Sequence, residues 1–74
     1  MFKTNEIAVV TQEGRGGFFF NVYACDKDAF MAKKYKYRLV DKIAGQFRDA
    51  LIEMDCQEFV FITEDGKCFL NQLH

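Results

Sequence analysis

The stretch Val40-Asp41-Lys42-Ile43-Ala44-Gly45-Gln46-Phe47-Arg48-Asp49-Ala50-Leu51-Ile52-Glu53-Met54 decides how this 74-residue chain is read. Val40, Ile43, Ala44, Phe47, Ala50, Leu51 and Met54 recur at i, i+3, i+4 and i+7, the spacing that lines one face of a helix at 3.6 residues per turn. Lys42, Gln46, Arg48, Asp49 and Glu53 fall off that stripe. One main amphipathic helix is therefore expected here. Gly45 inside it costs about 1 kcal/mol against Ala, and close approach of helix to sheet would account for it.

Upstream of the stretch, Asp26 or Asp28 can cap a helix through residues 29 to 32, while Tyr35-Lys36-Tyr37-Arg38-Leu39 alternates like a strand. A single helix from residue 28 to residue 54 would be about 40 Å long and would overhang any strand in the chain, so a break is expected near residues 33 to 37.

Two hairpins flank the helix. Ile7-Ala8-Val9-Val10-Thr11 is a short β-branched run, Gln12-Glu13-Gly14-Arg15-Gly16 reads as a loop, and Gly17-Phe18-Phe19-Phe20-Asn21-Val22-Tyr23 reads as a second strand. Glu58-Phe59-Val60-Phe61-Ile62-Thr63 and Cys68-Phe69-Leu70-Asn71 enclose Glu64-Asp65-Gly66-Lys67, which suits a type I turn closed by a glycine bulge. The order is β-β-α-β-β. Residues 1–74 are expected to form one small α+β domain, a four-stranded antiparallel sheet with the main helix packed on one face.

These strands do not alternate apolar with polar. In the second hairpin Val60, Ile62, Cys68 and Leu70 make one side aliphatic, and Phe59, Phe61 and Phe69 make the other aromatic. A helix assigned to the aliphatic side leaves Phe19, Tyr23, Phe59, Phe61 and Phe69 without cover. Such a surplus is a candidate partner-binding surface, because soluble monomers of this size seldom leave large apolar patches in water. A second copy of the chain, another protein, stacked bases, or residues 25 to 37 folding back could cover it.

Composition narrows the function classes. Half the residues are hydrophobic, with nine Phe and three Tyr, so the chain can bury a core rather than stay disordered. The longest uncharged run, from Gly16 to Cys25, is too short to span a bilayer, and Lys3 and Glu6 interrupt any leader-like start. Cys25, Cys56 and Cys68 are odd in number, widely spaced and free of a C-x-x-C, which points to thiols in the cytoplasm and to no disulfide framework or zinc site. The sole His is His74, the last residue, where chain ends fray, so no Cys-His pair for nucleophilic catalysis is expected. No constellation of catalytic or metal-ligating residues is written in the chain, so no cofactor, metal or enzymatic role is expected.

The formal net charge is −1, but the charges are segregated. Residues 27 to 42 carry six basic against two acidic side chains, a net +4, and residues 48 to 65 carry one basic against six acidic, a net −5. Lys33, Lys34, Lys36 and Arg38 form the basic segment, which could orient a symmetric pair against the acidic segment of a second copy.

Arg15-Gly16-Gly17-Phe18-Phe19-Phe20 resembles, in its basic-glycine-aromatic order, the strand that RNA-recognition and cold-shock sheets use to stack bases. It departs from the RNA-recognition pattern at Gly17, where an aromatic is required, and the β-α-β-β-α-β order is absent. The isoelectric point near 5.7 also weakens phosphate binding.

Two functions are expected from this reading. One is a small, non-enzymatic, homodimeric protein-protein interaction module acting by occupancy, in the style of a bacterial or phage stoichiometric regulator or inhibitor. The other is a single-strand nucleic-acid binder stacking bases on Phe18, Phe20, Tyr23, Tyr35 and Tyr37, with Arg15, Lys33, Lys34, Lys36 and Arg38 on phosphates. No membrane role is expected.

Overall fold

The structure is a computed structural model, and it describes residues 2–14, 18–45, 47–63 and 65–72. Arg15, Gly16, Gly17, Gln46, Glu64 and His74, all used above, lie outside the described residues. The elements run β1 (Glu6–Glu13), β2 (Phe19–Asp26), α1 (Lys27–Met31), β3 (Arg38–Ala44), α2 (Phe47–Glu53), β4 (Glu58–Ile62) and β5 (Cys68–Gln72). They form an α+β fold with one five-stranded mixed sheet in the order β3-β2-β1-β4-β5.

Two expectations need correction. The sheet has a fifth strand, because residues 38–44 pair antiparallel with β2 instead of extending the helix. It is mixed, because β1 and β4 run parallel, with Val9 opposite Val60. Val40, Ile43 and Ala44 lie on a bulged strand, not on a helix: Val22 faces Asp41 and Tyr23 faces Leu39, so Val40 is left over and the period of two breaks. Gly45 does not lie within a helix. Its φ of +79° turns the chain between β3 and α2, and a Cβ there would meet nothing, so backbone conformation and not helix-sheet contact explains it. Strands β3 and β4 run in the same direction, which requires a crossover, and α2 supplies it.

The second hairpin has the expected turn. Thr63 N–H donates to the Lys67 carbonyl at 2.9 Å, Gly66 N–H donates to the Thr63 carbonyl at 2.9 Å, and Gly66 has φ +82°. Asp26 caps α1 by accepting from Ala29 N–H at 3.0 Å, and the chain breaks after residue 32. Both helices end in the same way. Lys34 N–H reaches the Ala29 carbonyl and Lys33 N–H the Phe30 carbonyl; Cys56 N–H reaches Leu51 and Asp55 N–H reaches Ile52. Each is a Schellman closure with a non-glycine residue in the left-handed region, Lys33 at φ +60° and Asp55 at +58°.

The central strand β1 explains why apolar residues do not alternate. Ile7, Ala8, Val9 and Val10 are all buried, as expected of a strand covered on both faces. Ala8 and Val10 share a face with Val22, Phe59 and, from α2, the fully buried Leu51. Phe47 of α2 packs its ring 5.1 Å from Phe20, 5.4 Å from Phe59 and 5.4 Å from Phe61. The main helix thus covers the aromatic face, and the expected assignment to the aliphatic face is reversed. Aromatic rings have the reach to fill the gap under a two-turn helix, and each buried one contributes a large apolar area.

Candidate functional site

The opposite face carries Ile7, Val9, Cys25 and Val60, also buried. Its cover is slighter. Helix α1 has no buried residue, and the loop after it brings Tyr37 against Tyr23 of β2. There Phe30 lies 5.5 Å from Tyr35, Tyr35 stacks on Tyr37 at 5.9 Å, and Tyr37 lies 5.8 Å from Tyr23. Residues 25 to 37 therefore do fold back, as one of the four covers considered, but over this face and not over Phe59 and Phe61. Lys27 anchors the start of α1 to Glu58 at 2.8 Å.

The five candidate partner-binding residues are divided between the two faces. Phe59 is buried and Phe61 half-buried beneath α2. Phe69 shares their face near the sheet edge and is half exposed. Phe19 and Tyr23 occupy the α1 face, Phe19 being 59% exposed. No single patch of these five exists. What the fold assembles instead is a strip of Phe30, Tyr35, Tyr37 and Tyr23, with Leu39 opposite Tyr23 in the ladder and 51% exposed. Tyr35 and Tyr37 were absent from the protein-binding set. Their i, i+2 spacing is the signal that could have included them, since alternate residues of an extended chain project to one side.

The basic segment borders this strip. Lys33, Lys34 and Lys36 are exposed on the same loop, whereas Arg38 points to the α2 face and donates to Glu6 at 2.8 Å. Arg38 is therefore engaged in joining β3 to β1. The Lys3 backbone N–H and the Arg38 guanidinium together hold the Glu6 carboxyl below its ordinary range. The Ala29 N–H and the Asn5 amide do the same for Asp26.

Burial pushes the Cys25 and Cys56 thiols up, away from the thiolate form that nucleophilic chemistry needs. Burial chiefly, with the nearby Cys25, Tyr35 and Cys68, also raises the Tyr37 phenol. Among the described residues no group of three or more His, Cys, Asp or Glu is placed to hold a metal ion. Among the described residues no helix is long and apolar enough to cross a membrane.

On the α1 face an apolar groove of about 220 Å³ lies between α1 and the β4-β5 hairpin, with Ile7, Phe30 and Val60 in its lining and Met31, Cys68 and Leu70 at its exposed side. Comparison of the chain with family models, curated proteins and solved structures returned no match.

Proposed function

We propose that this chain is a small non-enzymatic interaction module of the cytoplasm, homodimeric, that acts by occupying the surface of a protein partner. The observation that carries the reading is the tyrosine strip on the thinly covered face. Tyr23, Tyr35 and Tyr37 are preorganised against one another, and Tyr35 remains 55% exposed. Tyrosine is enriched among residues that dominate binding energy, because it brings rigid apolar area and a polar tip at low entropic cost. The exposed Lys33, Lys34 and Lys36 beside it favour a partner with an acidic rim. A regulator of this kind needs no reacting group, and its free thiols suit a reducing compartment.

A photo-crosslinking side chain tests the reading when placed at position 35 and, as a control, at position 52 on the exposed outer side of α2. Protein adducts from position 35 and none from position 52 are expected. Equal adducts from both would overturn the assignment of the surface.

One observation favours a second reading. Tyr35 and Tyr37 stack at an interplanar angle of 29° in the lysine-bearing loop, an arrangement that could also receive a nucleobase. Phe20 leaves that stacking set because it packs against Phe47 and Phe61. Titration of a labelled single-stranded oligonucleotide at several salt concentrations separates the two. A steep loss of saturable binding with salt supports the nucleic-acid reading, and its absence supports the protein one.

A further inference from the structure

The two edges of the sheet are built on different principles. Edge strand β3 carries Arg38, Asp41 and Lys42 and is bulged at Val40, and charge and bulging both keep an edge from templating another strand. Edge strand β5, Cys-Phe-Leu-Asn-Gln, has no charge, no proline and an unbroken register with β4. Among the described residues no strand lies beyond it.

The turn sets which backbone groups of β5 face outward. Thr63 N–H bonds to the Lys67 carbonyl, so this pair is a hydrogen-bonded one, and the character alternates along an antiparallel ladder. Phe69 opposite Phe61 and Asn71 opposite Phe59 therefore direct their N–H and C=O groups into β4. Cys68, Leu70 and Gln72 direct theirs away from the sheet. The Gln72 carbonyl receives one long bond, 3.5 Å from the Arg48 guanidinium, and retains a second lone pair.

We propose that β5 pairs antiparallel with β5 of a second copy about a two-fold axis at Leu70, joining two sheets into one. This inference rests on the homodimer reading above and supplies its surface. A register centred on Leu70 overlaps the whole strand and sets Cys68 opposite Gln72 of the second copy, so every outward-facing residue has a reciprocal partner.

Two features select a second copy over an unrelated strand. A two-fold contact requires a self-complementary patch, and an uncharged strand meets no like charge when paired with itself. A short ladder alone falls below the roughly 1,200–2,000 Å² of a specific interface, so side chains beside it must contribute. Met31 and Leu70, 68% and 60% exposed, border the groove on the α1 face at this edge. The two-fold axis carries that apolar border onto its equal, so that both copies are covered in one contact.

The test joins cross-linking to mass measurement. In an antiparallel hydrogen-bonded pair the opposed Cα atoms are about 5.5 Å apart, within disulfide range. A Cys68→Ser/Leu70→Cys variant should become a covalent dimer under mild oxidation, while Cys68→Ser/Ile52→Cys should not. Under reducing conditions, light scattering should give the unaltered chain a mass twice 8.6 kDa. Leu70→Lys, which sets two cations at the axis, should raise the dissociation constant about 100-fold with the circular dichroism spectrum unchanged.

A dimer that persists in folded Leu70→Lys, with no cross-link at position 70, overturns edge pairing and leaves the homodimer reading standing. A monomer at all concentrations without a cross-link overturns both. If Leu70→Lys fails to fold, the cross-linking pair decides alone.

Discussion

The two faces of one sheet are closed in different ways. Under α2, Leu51, Val10, Val22 and Phe59 are essentially removed from water, and Phe47 holds three strand aromatics together. Across the same strands, Val9, Val60 and Cys25 are equally buried, yet their cover is a five-residue helix with no buried side chain and a loop of half-exposed tyrosines. The first arrangement is a core, in which each side chain is surrounded. The second shields the sheet while presenting apolar groups outward. Interaction surfaces are drawn from regions of the second kind, because burying them further on binding contributes energy that folding has not already used.

The largest test of this contrast exchanges one aromatic for a charge on either side of the core boundary. Phe61 lies between Phe47, stacked at 12°, and Phe20. Phe61→Asp should abolish the cooperative unfolding transition, since an unpaired carboxylate in an apolar cluster costs more than a domain of this size can spare. Phe69, paired with Phe61 across the ladder but 50% exposed, should tolerate Asp with a loss of about 1 kcal/mol. Thermal denaturation followed by circular dichroism measures both. A folded Phe61→Asp would mean that the α2 face is no more a core than the other.

Ion pairs sharpen the comparison at smaller amplitude. Glu6 accepts from Lys3 N–H at 2.6 Å and from Arg38 at 2.8 Å, and its side chain is only 13% exposed. Because its folded pKa lies below its unfolded value, its stabilising effect is complete above the ordinary carboxyl range and is lost as pH falls through the lowered folded value. Glu6→Gln should cost about 1 kcal/mol at pH 7 and progressively less under acid. Glu58→Gln, which removes the more exposed pair with Lys27, should cost about 0.5 kcal/mol or less. Urea denaturation midpoints across pH separate the two.

Much of this was legible in the sequence where chemistry is local. The Thr63–Lys67 turn, the Asp26 cap and the break after α1 follow from side-chain capping and from glycine's access to positive φ, which neighbours in sequence decide. What was not legible depended on partners far along the chain. The bulge at Val40 is a property of β3 against β2, and with it Val40, Ile43 and Ala44 continue the spacing of the helix that follows. The parallel pairing of β1 with β4 has no local signature, so the aromatic face was assigned to solvent when α2 in fact covers it. Phe59 and Phe61 therefore pack against Phe47 under α2, where the local pattern had left them without cover.

The smallest effect is the one most specific to the contrast, because it makes the same change in the same motif on either face. Lys33 and Asp55 each close a helix in the left-handed region, where a Cβ is strained by about 1–2 kcal/mol and glycine is not. Glycine also adds unfolded-state entropy that offsets part of the relief, leaving a net gain of about 0.5 kcal/mol. At Asp55 the gain should appear in global unfolding, since the closure joins Leu51 to Cys56 and both belong to the core cluster. At Lys33 the closure joins Ala29 to Lys34, in a helix without a buried residue. If α1 opens by itself from an otherwise native sheet, Lys33→Gly should slow amide exchange in residues 29 to 34 and leave the global midpoint unmoved. Equal shifts of the midpoint by both variants would show instead that α1 and its loop unfold together with the core.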